Sequence, residues 1–113
     1  MKRPDWFAKA DQIHRAVLAN GWTWRVITPY GRDDLVGLTL GLAGEAGEVA
    51  NDVKKHLRGD FDEVEMRERL AKELADVRIY LEMLAEALNV DLDVAVADKL
   101  VEVEKRWRAK GFL

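Results

Sequence analysis

The chain has 113 residues, of which 49% are hydrophobic and 35% charged, and its formal net charge is −3 at pH 7. This composition is typical of one soluble globular domain, covering residues 1–113, and the acidic balance argues against binding of a nucleic-acid polymer. With no cysteine, no apolar segment typical of a signal peptide and no apolar run of about 18 residues, we expect a cytoplasmic protein without disulfides, thiolate metal sites or membrane contact.

Helices are predicted throughout, because the chain has only 2 prolines and long stretches of strong helix formers. The first helix is expected from about Pro4, which suits a first helical turn, to about Asn20, with Gly21 as its stop. Residues 21–33 are expected to form a loop, with a short extended piece at residues 24–28.

Three further helices are expected, at residues 33 or 34 to 59, 62 to 88 and 91 to 109. Each has an aspartate where an N-cap is needed and a glycine or asparagine where a helix stops; these residues are Asp33 or Asp34, Asp62 and Asp91, and Gly59, Asn89 and Gly111. Because the connections are short, consecutive helices are expected to be antiparallel neighbours. The sequence therefore predicts an all-α fold that resembles a four-helix bundle.

The second predicted helix contains the stretch GLAGEAGEVAND, residues 41–52, which is unusually rich in glycine. Each interior glycine costs about 0.5–1 kcal/mol relative to alanine. At about 100° per residue, Gly37, Gly41 and Gly44 share a face with Glu45, Glu48, Asp52 and Lys55, while the apolar stripe comprises Leu35, Leu42, Ala46, Val49 and Val53. This shared face indicates that a helix or a ligand approaches the backbone beside the carboxylates. Tight helix packing alone is the alternative.

The third predicted helix carries a second acidic pair, Glu73 and Asp76, at the margin of its apolar stripe. We expect that stripe to comprise Leu70, Leu74, Val77, Leu81, Leu84 and Leu88. Two acidic pairs on antiparallel helices can converge, and the carboxylates then repel one another unless cations or protons neutralise them. Oxygen ligands favour hard cations such as Mg²⁺ or Mn²⁺. His14 and His56 lie outside both pairs, and we interpret them as surface or packing residues.

The two pairs stand in GEAGE (residues 44–48) and ELAD (residues 73–76), with 24 residues between Glu48 and Glu73. This arrangement resembles the E-x-x-E, spacer, E-x-x-D motif of the all-α nucleoside triphosphate pyrophosphohydrolases of the MazG-like branch. The likeness also covers GLAGEAGEVANDVKK, ELADVRIYLEMLAEALNVDL and AVADKLVEVEKRW, so it extends over roughly residues 35–107. It implies a MazG-type helical fold.

The resemblance also implies a hydrolase that cuts a nucleoside or deoxynucleoside triphosphate into the monophosphate and pyrophosphate, as in nucleotide-pool house-cleaning. By motif match, the metal ligands and catalytic carboxylates would be Glu45, Glu48, Glu73 and Asp76, holding Mg²⁺ or, as a substitute, Mn²⁺. Which of them would be the general base is left open.

Candidate substrate contacts lie outside the acidic motif. Lys55 and Lys99 are candidates for the phosphates and Tyr80 for the nucleotide, although a snorkelling lysine or a packed tyrosine is an equal alternative. Trp22, Trp24 and, next to them, Tyr30 can stack on a base, or else cover the core or an interface. Val103 stands where some relatives have an asparagine that faces the nucleotide, so their base and sugar preferences do not transfer.

Two other functions stay open at this point. The chain can be a catalytically silent helical interaction module, which would need no Mg²⁺, or another metal-dependent phosphohydrolase, which would release orthophosphate. We expect the protein to work as a homodimer or homotetramer, because relatives commonly assemble so and because a thin bundle of this length buries little surface alone. A compact monomer whose first helix covers the bundle is the alternative.

Overall fold

The structure, a computed structural model, describes residues 1–20 and 33–113. The helices of this part of the chain are α1 (Phe7–Ala19), α2 (Asp33–Leu57), α3 (Glu63–Ala87) and α4 (Leu92–Ala109). The described ranges contain no strand, and the predicted all-α, four-helix fold is confirmed. The predicted loop with its extended piece, including Trp22, Trp24 and Tyr30, lies outside the described residues. None of the helices described is long and apolar enough to cross a membrane.

The boundaries of α3 and α4 follow the capping residues that the sequence predicts. Asp62 and Asp91 are the N-caps, and their carboxylates accept hydrogen bonds from the backbone N–H groups of Glu65 at 2.9 Å and Val94 at 3.3 Å. The residues that follow α2, α3 and α4 have a left-handed backbone, with φ values of 93° at Gly59, 55° at Asn89 and 82° at Gly111. In each case the next N–H bonds back to a carbonyl of the last turn, which satisfies helix-end acceptors.

The predicted start of α1 at Pro4 is wrong, because the helix begins at Phe7. The Pro4 carbonyl accepts a hydrogen bond of 2.9 Å from the Phe7 N–H in a turn that precedes the helix. Arg3 fixes this turn on α3, where its guanidinium donates to Glu86 at 2.8 Å and to Glu82 at 3.5 Å.

The hydrophobic core lies where α1, α2 and α3 meet. Its buried members are Phe7, Leu38 and Met83, and the partly buried side chains around them are Trp6, Ile79, Tyr80, Leu84 and Ala87. The apolar stripes predicted for α2 and α3 are wrong in part, since Ala46, Val53, Leu74, Leu81 and Leu88 are exposed. The physical reason is that a glycine, a tyrosine and carboxylates, rather than leucines, lie between α2 and α3. Much of the predicted leucine stripe therefore faces solvent.

The last helix leaves its apolar side chains in solvent. No residue of α4 is buried, whereas interhelical contacts are concentrated between α2 and α3 and between α1 and α3. The exposed group comprises Val94, Val96, Leu100 and Val101, and Leu100 has 61% of its surface accessible. In this single chain, α4 therefore stabilises the core little.

Candidate functional site

The α2–α3 pair brings the two acidic motifs together along one interhelical face. Gly41 meets the ring of Tyr80, and one turn further along α2 the charge of Asp76 acts on Glu45. Towards the loop, the charges of Glu48 and Asp52 act on Glu73. Residue numbers thus rise along α2 as they fall along α3, which is the antiparallel arrangement that the short connection predicts.

The loop between the two helices holds this alignment in place. The His56 ring nitrogen Nδ1 lies 2.9 Å from the Phe61 carbonyl oxygen, and the His56 and Phe61 rings stack with centroids 6.4 Å apart. The guanidinium of Arg69 also lies over the Phe61 ring, 4.4 Å from its centroid. His56 is therefore a packing residue, as the sequence interpretation has it.

The electrostatics of the site are those of crowded carboxylates. Burial raises the pKa of Glu45, and the charges of Asp76 and Glu48 raise it further. At Glu73, burial, a hydrogen bond with Asp52 and the charges of Asp52, Glu48 and Glu45 together raise the pKa from 4.5 to about 7. Burial raises the pKa of the Tyr80 hydroxyl, and the charges of Glu45 and Asp76 raise it further.

In the part of the chain that the structure describes, basic side chains do not form ion pairs with this acidic face. Its facing carboxylates are Glu45, Glu48, Asp52, Glu73 and Asp76. The Oε2 atom of Glu73 is buried and has no hydrogen-bond partner in this part of the chain. Such an arrangement is costly unless a proton or an added cation compensates it.

The donor set fits a hard divalent cation, although the carboxylates are spread along the helices. Oxygen ligands alone match the preference of Mg²⁺, and the free Oε2 of Glu73 is an acceptor without a donor. In the described residues, however, no three acidic or histidine side chains already stand close enough to enclose one ion. Bound Mg²⁺ would therefore require side-chain rotation, or phosphate oxygens that complete its coordination.

Raising the pH from about 4.5 to about 7 is expected to destabilise the metal-free protein through Glu73. Because the pKa of Glu73 is raised from 4.5 to about 7, the folded chain keeps a proton that the unfolded chain has already lost, and the free energy of unfolding falls through this window. One pKa unit is worth about 1.4 kcal/mol, and solvent screening reduces the total to on the order of 1–2 kcal/mol. Thermal unfolding in EDTA between about pH 4.5 and 7 should show this loss of stability in wild type and not in Glu73→Gln. An equal pH dependence of stability in the two proteins would contradict the raised pKa of Glu73.

An apolar cavity of about 330 Å³ opens between α1 and α3 beside the acidic face. Its lining includes Ile13, His14 and Val17 of α1 and Asp76, Ile79, Tyr80 and Met83 of α3. The His14 Nε2 atom is buried and has no hydrogen-bond partner among the described residues. A mostly apolar pocket with a few polar groups is the usual form of a small-molecule site. Asp76 and Tyr80 belong to both the cavity and the acidic face, so the two are contiguous.

Tyr80 occupies a slot that only glycine at position 41 leaves open. A Cβ atom on Gly41 would lie 2.6 Å from the Cζ atom of Tyr80, which bears the hydroxyl, whereas a Cβ on Gly44 or Gly47 would meet nothing within 4 Å. The close approach predicted for the glycine face is therefore realised at Gly41, and Gly44 and Gly47 face open space in this chain.

No family model matches the chain. The Gene 37 protein of Mycobacterium phage L5 is 45% identical over an alignment of 80 residues, and the alignment covers 66% of this chain and 69% of the phage protein. The chain belongs to the family of that protein. The name of the Gene 37 protein states no activity.

In this member of the Gene 37 protein family, the predicted lysine contacts are not brought to the carboxylates. The charge of Lys55 acts on Asp60, whose pKa is lowered chiefly by its hydrogen bond with Arg58. Lys99 lies on α4, where it donates a 2.9 Å hydrogen bond to Glu102. The proposed base-stacking residues Trp22 and Trp24 lie outside the described residues. Among the predicted substrate contacts that lie in the described residues, Tyr80 is the one placed at the acidic face.

Two residues at the site were not assigned a role from the sequence. Asp52 shares the acidic face of α2 but belongs to no E-x-x-E or E-x-x-D pair, and its contact with Glu73 follows from the helix pairing. His14 comes from α1, a part of the chain to which the motif does not extend. The helical periodicity of α2 already indicates that Asp52 lies on the acidic face. The position of His14 beside the cavity follows only from the packing of α1 on α3.

Proposed function

We propose that this chain hydrolyses a nucleoside triphosphate, preferably a deoxynucleoside triphosphate, to the monophosphate and pyrophosphate with Mg²⁺. The observation that carries the proposal is the convergence of both acidic motifs on one face, which forms no ion pair with the basic side chains of the described residues and has an apolar cavity beside it. The metal ligands would be Glu45, Glu48, Glu73 and Asp76. When bound, Mg²⁺ would neutralise the phosphate oxygens and lower the pKa of an attacking water.

The side chains of the acidic face have separate roles in substrate binding and proton transfer. One of the carboxylates accepts the proton of the attacking water. The Tyr80 hydroxyl, held between the helices by the Gly41 slot, donates a hydrogen bond to the nucleotide. The cavity between α1 and α3 receives the base and excludes water from it, and His14 offers its buried Nε2 as a polar contact. Asp76 joins the two regions, so a nucleotide with its base in the cavity directs its phosphates to the acidic face.

The deciding experiment is a product assay with all common NTPs and dNTPs and Mg²⁺. Release of pyrophosphate and a nucleoside monophosphate, lost in EDTA and restored by Mg²⁺ or Mn²⁺, is the expected result. Orthophosphate would instead favour a different phosphohydrolase. No turnover with any nucleotide would favour a silent interaction module, for which the exposed apolar side chains of α4 are the supporting observation.

Replacing His14 is expected to weaken substrate binding more than turnover. If His14 contacts the base, His14→Ala should raise KM about tenfold with little change in kcat, because a contact made equally in the ground and transition states affects binding alone. The matched control is His56→Ala, which removes the loop contact with Phe61 and should lower Tm without raising KM. Steady-state kinetics with the preferred nucleotide measures both, and an unchanged KM in His14→Ala would exclude this contact.

The same proposal includes a homodimer or homotetramer. Its support is the exposed apolar surface of α3 and α4, where Leu74, Leu88 and Leu100 have 55%, 52% and 61% of their surface accessible. A symmetric interface would bury two copies of such a patch, and it can bring Lys99 of one copy towards the carboxylates of the other. Sedimentation equilibrium at micromolar concentration measures the mass. A fully active species near 13 kDa, the mass of one chain, would exclude the oligomer.

A further inference from the structure

The first helix is attached to the core at its N-terminal end. Among the described side chains of α1, Phe7 is the one that is buried, and it packs with Leu38 and Met83. Further along the helix, Ile13 and Val17 line the cavity and still have 53% and 41% of their surface accessible. Beyond its first turn, the described part of α1 therefore lies across the cavity without a buried anchor of its own.

The segment before α1 contributes a second attachment, which is polar. The guanidinium of Arg3 donates from Nε to Glu86 at 2.8 Å and from Nη1 to Glu82 at 3.5 Å. Glu82 and Glu86 lie one turn apart on α3, and the fork of an arginine can span two such carboxylates where a lysine cannot. The same guanidinium lies 5.8 Å from the centroid of the Phe7 ring, so the polar and apolar attachments are contiguous.

Solvent is largely excluded from the Arg3–Glu82 pair, since 11% and 10% of the two side chains are accessible. Among the described residues, Arg3 is the basic side chain that forms an ion pair with Glu82. Separating the pair would leave a buried carboxylate uncompensated, which is costly. Because a single turn, closed by the hydrogen bond from Phe7 to Pro4, connects Arg3 to α1, this ion pair fixes where α1 begins on α3.

The direction of α1 in turn sets one wall of the cavity. His14 stands on this wall, opposite Asp76 and Tyr80 of α3. At 1.5 Å per residue, His14 lies about 10 Å along the helix from Phe7. A change of tilt at the attached end therefore displaces His14 further than it displaces Phe7, and it alters the width of the cavity.

We propose that Arg3 is a positioning residue, which through Glu82 and Glu86 holds α1 at the tilt that the cavity needs to receive the base of a nucleotide. This inference rests on the proposed function, because the base is the ligand that the cavity would receive. It assigns Arg3 no contact with the nucleotide and no part in the chemical step.

The test combines hydrogen exchange of the full chain, without metal or nucleotide, with steady-state kinetics. Arg3→Met keeps an unbranched side chain but loses both hydrogen bonds, so the backbone amides of α1 should exchange on the order of 10- to 100-fold faster while those of α2 keep wild-type rates. For the nucleotide preferred in the product assay, KM should rise about tenfold with little change in kcat. Arg67→Met is the matched control, because Arg67 pairs with Glu63 within α3, and it should change neither quantity.

Arg3→Lys keeps the comparison usable if Arg3→Met does not fold. Its ammonium group can still neutralise Glu82 but cannot span both carboxylates, so its α1 exchange rates and its KM should lie between those of wild type and Arg3→Met. Wild-type exchange and KM in both variants would show that α1 does not need this attachment.

Two further results would also overturn the proposal. Equal acceleration of exchange in α1 and α2 would mean that Arg3 stabilises the whole fold rather than the position of α1. A lower kcat at unchanged KM would mean that Arg3 acts on the chemical step. Absence of turnover in wild type would instead overturn the hydrolase proposal and the base-binding role of the cavity with it, whereas selective exchange of α1 in Arg3→Met would still show that Arg3 holds this wall.

Discussion

If the chain has the proposed hydrolase activity, Glu48→Gln and Asp76→Asn are each expected to abolish most of it while leaving the helical fold intact. The two residues lie on opposite helices of the acidic face, and each substitution removes one anionic ligand with almost no change in shape. Loss of a metal ligand removes several kcal/mol of transition-state stabilisation, which corresponds to a fall in kcat on the order of 10²–10³-fold. The metal-free variants should be as stable as wild type or more so, because repulsion within the cluster is relieved.

The measurement is kcat at limiting and saturating Mg²⁺, together with Tm in EDTA. Glu68→Gln is a suitable control, since Glu68 is an exposed glutamate on α3, about 140° around the helix from Glu73 at 100° per residue. It changes the net charge equally and should leave kcat unaltered. Wild-type turnover of Glu48→Gln and Asp76→Asn at limiting Mg²⁺ would show that these carboxylates do not hold the metal.

Gly41→Ala is expected to lower both stability and activity through Tyr80. The added methyl group would overlap the tyrosine ring, so either the ring leaves its slot or the two helices separate. Overpacking of this kind costs about 1–3 kcal/mol, and the higher helix propensity of alanine offsets up to about 1 kcal/mol of it. Because the displaced ring also takes its hydroxyl away from Glu45 and Asp76, we expect hydrolysis to fall about tenfold or more.

Gly47→Ala is the matched control on the same helix. A Cβ atom at position 47 meets nothing within 4 Å, so this change should raise the free energy of unfolding by about 0.5–1 kcal/mol and leave turnover unchanged. Urea unfolding of both variants decides the point. A Gly41→Ala protein as stable and as active as Gly47→Ala would show that the slot is not needed.

Local signals in the sequence were sufficient to predict the helices and the acidic face. Asp62 and Asp91 each supply a capping oxygen at the start of a helix, and Gly59 and Gly111 supply the left-handed residue after one, so these boundaries follow from local backbone chemistry. The acidic pairs were found because side chains three residues apart share a face of a helix, and a short loop forces two such helices to be antiparallel.

What the sequence did not predict depends on contacts between distant segments. Periodicity finds an apolar stripe but not the surface that covers it, which is why Leu74 and Leu88 were expected in the core and are exposed. Among the described residues, Leu38 is the most buried apolar side chain, at 2%, because α1 packs over it together with Met83. His14 reaches the cavity for the same reason, through the docking of α1, which no pattern within α1 encodes.

The location of the acidic face on two consecutive helices has a consequence for how the chain folds. Because α2 and α3 are joined by residues 58–62 alone, the contacts that build the face are close in sequence, and contacts of this kind form early in folding. The repulsion between the carboxylates is then already present in the folding transition state. A divalent cation that relieves this repulsion should therefore speed refolding, with little effect on the unfolding rate. The acidic face would thus slow folding in metal-free buffer and promote it when the metal is present.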